Sequence, residues 1–230
     1  MPRNNLVFLV DVDNTLIDND AVREDFRCDI ARDYGTAYRD RYWTIQEGLF
    51  TSLGYRDYLG AAQQLWLESG YDMELLSLSA YLLDYPFAGR LYPGALDVLE
   101  GLRNWGPTVI LTDGDAIFQP RKIERAGLAA AVDDRILIYV HKEDALDDIK
   151  RRYPAGHYVL IDDKLRILGA FKKAWGRDVT TIWPRQGQFA LDPSAEAAHQ
   201  PPDLTISRIG DLLEINLEAH LQRTTSMVTT

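Results

Sequence analysis

Five short apolar runs rich in β-branched residues, at 6–10, 108–112, 136–140, 158–161 and 179–183, constrain this chain more than any other feature. Apolar residues at successive positions suit strands buried on both faces, which is the condition of a parallel sheet. Helical patterns follow the later runs, over 115–126, 142–153 and 164–175. The last sets Leu165, Leu168, Ala170, Phe171 and Ala174 on one side and meets a helix stop at Gly176. Alternating strands and helices predict an α/β fold of three layers, with helices on both faces of the sheet.

Between the first two runs the pattern changes. Residues 18–89 contain no strand signal and read as amphipathic helices separated near Gly35, Gly54 and Gly70. Pro86, Gly89, Pro93 and Gly94 then punctuate the return to a helix over 95–105. The predicted organisation is a core of residues 1–17 and 90–222, a helical cap over 18–89, and a frayed, Thr-rich tail at 223–230. A chain of 230 residues can bury one core and carry such an insertion.

Charge and cysteine content narrow the function. Thirty-five acidic residues against 25 Lys and Arg give a formal charge of −10, which disfavours nucleic acid, because that affinity needs clustered cations. The lone Cys28 has no partner for an intrachain disulfide, and four scattered His residues show no zinc spacing, so a cytoplasmic location is expected. The apolar run at 6–10 is too short to span a bilayer, and no signal peptide or membrane anchor is expected. An anionic substrate would therefore need a metal ion or a few placed cations.

Chemistry collects at the strand ends. The first run leads into Asp11-Val12-Asp13-Asn14-Thr15, where residues two apart point the same way, so Asp11 and Asp13 can face one reacting group. The fourth run ends at Asp162-Asp163. Four carboxylates meeting at one sheet edge would repel unless a hard cation neutralised them, which implies Mg2+ with oxygen ligands from Asp11, Asp13, Asp162 and Asp163. The second run ends at Thr112-Asp113-Gly114, whose hydroxyl and backbone suit phosphate oxygens, and the third at His141-Lys142, where an ammonium can balance phosphoryl charge. His141 alone reads as a strand-end residue satisfied by backbone, and Asp18-Asn19-Asp20 as an ordinary helix N-cap near the cap hinge.

In order and placement these motifs resemble the haloacid dehalogenase-like superfamily, with Asp11/Asp13/Thr15, Thr112, Lys142 and Asp162/Asp163 spanning nearly the whole core. The resemblance implies a Rossmann-like core with a helical cap of the C1 type. It also implies roles. Asp11 would be the nucleophile and a metal ligand, and Asp13 the general acid and base, its carbonyl also reaching the metal. Asp162 would complete the metal site, Thr112 and Lys142 would hold the phosphoryl group, and Thr15 would steady the first loop. The fourth motif departs from the Gly-Asp-x-x-x-Asp form of many capped members, which leaves the ligation by Asp163 open.

A second carboxyl beside the nucleophile fits phosphoryl transfer, since an alkoxide leaving group needs a proton and a halide does not. The expected function is a phosphatase acting on a small phosphorylated metabolite through an aspartyl-phosphate. Alternatives are a sugar phosphomutase or dehalogenase of the same superfamily, or a non-hydrolytic phospho-acceptor. Catalysis is expected from Asp11, Asp13, Thr112 and Lys142, and substrate binding from Thr112, Asp113, Gly114 and Lys142. The partner expected is a small phosphorylated substrate, without nucleic acid or membrane, on a monomer or homodimer. The insertion supplies Tyr34, Tyr38, Tyr42, Trp43, Tyr55, Tyr58, Trp66, Tyr71, Tyr81 and Tyr85, and six arginines (Arg23, Arg27, Arg32, Arg39, Arg41 and Arg56), of which a subset would line the substrate pocket.

Overall fold

Strand β1 (Leu6–Val10) is central to the sheet, flanked by β2 (Thr108–Asp113) and β3 (Ile136–Tyr139) on one side and β4 (His157–Ile161), β5 (Val179–Pro184) and β6 (Leu204–Ile206) on the other. This is a computed structural model, and it describes residues 5–191, 199–217 and 219–221. Every strand pair is parallel, in the order β3-β2-β1-β4-β5-β6, so the α/β Rossmann-like expectation holds. β6 was not predicted: three residues, only one of them buried, are too few to register as an apolar run.

Side-chain alternation divides the sheet into two faces. Phe8, Val10, Ile110, Val159, Ile161 and Ile182 point to one face; Val7, Leu9, Val109, Leu111, Tyr158 and Leu160 point to the other. The second face is covered by α8 (Leu146–Arg152) and α9 (Leu165–Trp175), through Ile149, Leu165, Leu168, Phe171 and Trp175. The first is covered by α5 (Ala95–Arg103), α6 (Phe118–Arg125) and α7 (Leu128–Ala131).

Between β1 and β2 lie four further helices, α1 (Asn19–Tyr34), α2 (Thr36–Leu53), α3 (Tyr58–Glu68) and α4 (Leu76–Asp84). Asp18 caps α1 by accepting from Ala21 N at 2.9 Å, and Asp57 caps α3 by accepting from Gly60 N at 2.7 Å. Their buried Phe26, Ile30, Tyr42, Leu65, Leu78 and Leu82 join the same cluster as Phe8, Val10 and Ile110. Edge-on contacts of Phe26 with Tyr58 (5.7 Å) and Tyr85 (5.1 Å), and a tilted Tyr58–Phe118 contact (4.6 Å), tie the insertion to α6.

Two helices start later than their sequence patterns. Asp115 Oδ1 accepts from Ile117 N and Phe118 N, both at 2.7 Å, and this local competition delays α6 to Phe118. The pattern over 142–153 splits into a 3-10 turn at Lys142–Asp144 and α8. The tail predicted at 223–230 lies outside the described residues. Among the described residues no helix is long and apolar enough to cross a membrane.

The strand order reverses direction at β1, with β2 on one flank and β4 on the other. Ligands of open α/β sheets bind outside the strand carboxyl ends at such a switch point.

Candidate active site

The loop after β1 is built for rigidity. Asp11 N donates to Ile161 O at 3.0 Å, and Leu16 N and Ile17 N both donate to Val12 O at 2.9 Å. Asn14 has φ 60°, a left-handed conformation that asparagine tolerates better than most residues. Its turn is fastened from beyond β5: Gln186 Nε2 donates to Asn14 O (3.1 Å) and Thr15 O (2.7 Å), while Gln186 Oε1 accepts from Ile209 N (2.9 Å). Gly187 must be glycine here, because φ is +73° and a Cβ would lie 2.4 Å from Asn14 Cβ. Thr15 Oγ1 accepts from Asp163 N at 3.1 Å, linking the loop after β1 to the one after β4.

Asp11, Asp162 and Asp163 converge, offering ligand oxygens within 4.8 Å of one another, and all three residues are buried. Lys142, wholly buried, sits against two of them: its Nζ donates to Asp11 Oδ1 at 2.5 Å and to Leu111 O at 3.2 Å, and lies 2.6 Å from Asp162 Oδ2. That last approach is an ion contact without hydrogen-bond geometry. Burial alone would lower the Lys142 pKa, but the carboxylates of Asp11, Asp162 and Asp113 more than offset it and hold the ammonium above its ordinary range. Burial pushes Asp162 and Asp163 the other way, above the usual carboxylate range. Lys164 follows Lys142: burial opposes its charge, and Asp11 and Asp163 restore it.

Asp13 is not in that cluster. Its carboxylate pairs with the ammonium of Lys122, which also donates to Asn19 Oδ1 at 2.6 Å. Thr112 is buried at the end of β2, and its Oγ1 accepts from Gln119 Nε2 at 3.1 Å. Asp113 Oδ1 accepts from Lys142 N at 2.9 Å and so sets the lysine's backbone; burial raises the Asp113 pKa. Gly114 N donates to Tyr139 O at 2.8 Å. Asp13, Asp113 and Gly114 line a cleft of about 1110 Å3 that continues under the insertion past Arg23, Tyr55, Arg56 and His141.

The structure thus gathers Asp11, Lys142, Asp162 and Asp163 into one cluster and turns Asp13, Asp113 and Gly114 toward the adjoining cleft. Sequence reasoning missed Lys122, Gln186 and Lys164. For Lys122 a signal existed: it shares the buried face of α6 with Phe118, Gln119 and Ile123, a position where a lysine calls for a partner. His141 corrects its sequence reading. It is exposed and lines the cleft, with its ring against Gly54 of the insertion. Asp18 is the N-cap it was read to be.

The triad suits a divalent cation. Asp11 Oδ2 and both carboxylate oxygens of Asp163 are buried without a hydrogen-bond partner, and the three carboxylates outnumber the two ammoniums, Lys142 and Lys164, that act on them. Buried anions with open lone pairs and an all-oxygen donor set are what a hard cation takes.

A family model for hydrolases, that of the haloacid dehalogenase-like hydrolases, matches residues 6–174. A structure assigned as a haloacid dehalogenase-like hydrolase from Burkholderia xenovorans LB400 is 55% identical, with a TM-score of 0.87 over 94% of this chain and 98% of that one. A HAD hydrolase from Bacillus subtilis bound to magnesium is 19% identical, with a TM-score of 0.61 over 92% and 98% of the two chains. An L-2-haloacid dehalogenase from Xanthobacter autotrophicus with covalently bound chloropropionic acid is 16% identical, with a TM-score of 0.59 over 90% and 96%. At those identities the last two share the fold. No curated protein matches the sequence significantly.

Proposed function

Because the chain belongs to the haloacid dehalogenase-like hydrolases, we propose that it is a magnesium-dependent phosphatase of a small phosphorylated metabolite. The observation that carries this reading is the buried triad Asp11, Asp162 and Asp163 with its partnerless oxygens. These are the side chains that would hold the ion. Magnesium, when bound, neutralises them and polarises a phosphoryl oxygen.

The protein's own groups do the rest. Asp11 attacks phosphorus and displaces the alcohol, which leaves with a proton from Asp13. Asp13 then takes a proton from water as that water attacks the aspartyl-phosphate, releasing phosphate and regenerating Asp11. Lys142 balances charge on the nucleophile and, with Thr112, holds the phosphoryl group, while Asp113 and Gly114 line the adjoining cleft. Asp13, facing the cleft, favours ester over halide cleavage, because only the ester's leaving group needs a proton. The Thr15 contact to Asp163 fixes the loops on which both acids stand. The protein would act in the cytoplasm as a monomer or homodimer, without nucleic acid or membrane.

The test is phosphate release from a panel of phosphomonoesters, with magnesium or chelator, beside halide release from haloalkanoates. Turnover should require magnesium, vanish in Asp11→Asn, and fall about a hundredfold or more in Asp13→Asn. Halide release without ester hydrolysis would overturn the reading.

A further inference from the structure

The six arginines of the insertion separate by what they meet. Arg32 pairs with Asp29 and Asp33, Arg39 with Asp40, and Arg41 with Glu68, all on the surface. Arg27 lies over the Trp43 ring, its Cζ 4.3 Å from the centroid. Of these six, Arg23 and Arg56 line the cleft that holds Asp13.

These two share a single carboxylate. Glu47 Oε1 is 2.8 Å from Arg56 Nη1 and 3.7 Å from Arg23 Nη2. Asp20, which acts on Arg23 at longer range, is engaged by Asn14 Nδ2 and Gln188 N. Arg23 Nε is buried and lacks a hydrogen-bond partner, although its side chain is only 15% exposed. Burial, and then the charge of Arg56, depress the Arg23 pKa. Glu47 and the more distant Asp20 match the two guanidiniums in charge, but Arg23 Nε remains a buried, open donor beside a second guanidinium in the cleft, and an anionic group of the ligand would satisfy it.

We propose that Arg23 and Arg56 form a subsite for a second anionic group, a carboxylate or a phosphate, at the end of the substrate remote from the transferring phosphoryl group. The inference rests on the phosphatase reading and narrows it. The substrate class is a phosphomonoester whose carbon skeleton carries another anion. Arginine suits this task, because its planar fork matches the oxygens of either group. Asp11 and its neighbours grip one end of such a molecule, and the insertion grips the other.

Calorimetric titration with magnesium present tests it, using a series of carboxyalkylphosphonates, the matching uncharged-tail alkylphosphonates, and alkylene bisphosphonates. The best carboxyalkylphosphonate or bisphosphonate should bind about tenfold or more tightly than its alkylphosphonate match, and the better of the two names the second anion. In Arg23→Gln the ratio should collapse to within about twofold of unity, and Arg56→Gln should lower it as well. Near-UV circular dichroism checks that each variant is folded, and Arg56→Lys keeps the test alive if Arg23→Gln is not. Equal binding of charged and uncharged tails by the parent protein overturns the inference alone, as does a preference that survives both substitutions. If no phosphonate binds and no ester turns over, the phosphatase reading falls with it.

Discussion

Asp163 shows what a buried charge costs when its partner is absent. Its backbone is fully engaged, the N–H on Thr15 and the carbonyl on Trp183 Nε1 at 2.9 Å, yet neither carboxylate oxygen has a partner. Asp163→Asn keeps the shape and removes the charge. The metal-free variant should be more stable by about 1 kcal/mol or more, roughly 2–4 °C in melting temperature, and its magnesium-induced rise in melting temperature should shrink. Thermal denaturation with chelator and with magnesium measures both. A second residue reports on pH. His157 is buried against Thr180 Oγ1 at 2.8 Å, and burial, then Lys172, lower its pKa from the ordinary 6.5. The unfolded chain therefore binds the proton more readily than the folded one, so stability falls as pH drops below about 6.5. His157→Gln should flatten the melting-temperature profile between about pH 5 and 7; an unaltered slope would assign the acid sensitivity elsewhere.

At the scale of elements, the end of α2 decides how the insertion meets the core. Gly54 closes the helix in the left-handed conformation, its N–H on Phe50 O at 2.9 Å, and a Cβ there would lie 2.7 Å from His141 Cε1 and Nε2. Gly54→Ala combines backbone strain with that contact and should cost about 1 kcal/mol or more in denaturant unfolding. Because the obstruction is the end of a side chain, His141→Ala should recover the steric part but not the backbone part, which a double-mutant cycle separates. The runs behind β1, β2, β4 and β5 were legible because continuous apolar character is a local signal. The division of 142–153 into a 3-10 turn and α8 was not, because Lys142 is drawn to Asp11 and Asp162 from across the sheet.

Across the whole molecule, one apolar cluster runs from Phe8, Val10 and Ile110 through Phe118 to Phe26, Tyr42 and Leu82 in the insertion. Exposed ion pairs such as Arg121 with Asp84 at 2.9 Å add little to that continuity. Helices α1–α4 should therefore unfold together with the sheet. Far-UV circular dichroism and the fluorescence of Trp43 and Trp66, both in the insertion, should give coincident denaturation curves. An earlier transition of those tryptophans would make the insertion a separate cooperative unit.

The sequence by itself determined the parallel α/β architecture and the strand ends that bear Asp11, Thr112 and Asp162, because burial on both faces and the acids that follow are written in consecutive residues. Only the tertiary structure decided the pairings. Lys122 reaches Asp13 across 109 positions, Gln186 fastens the turn at Asn14 from beyond β5, and Glu47 is divided between Arg23 and Arg56. Desolvation and charge compensation are sums over neighbours brought from distant parts of the chain, and no local pattern carries that sum.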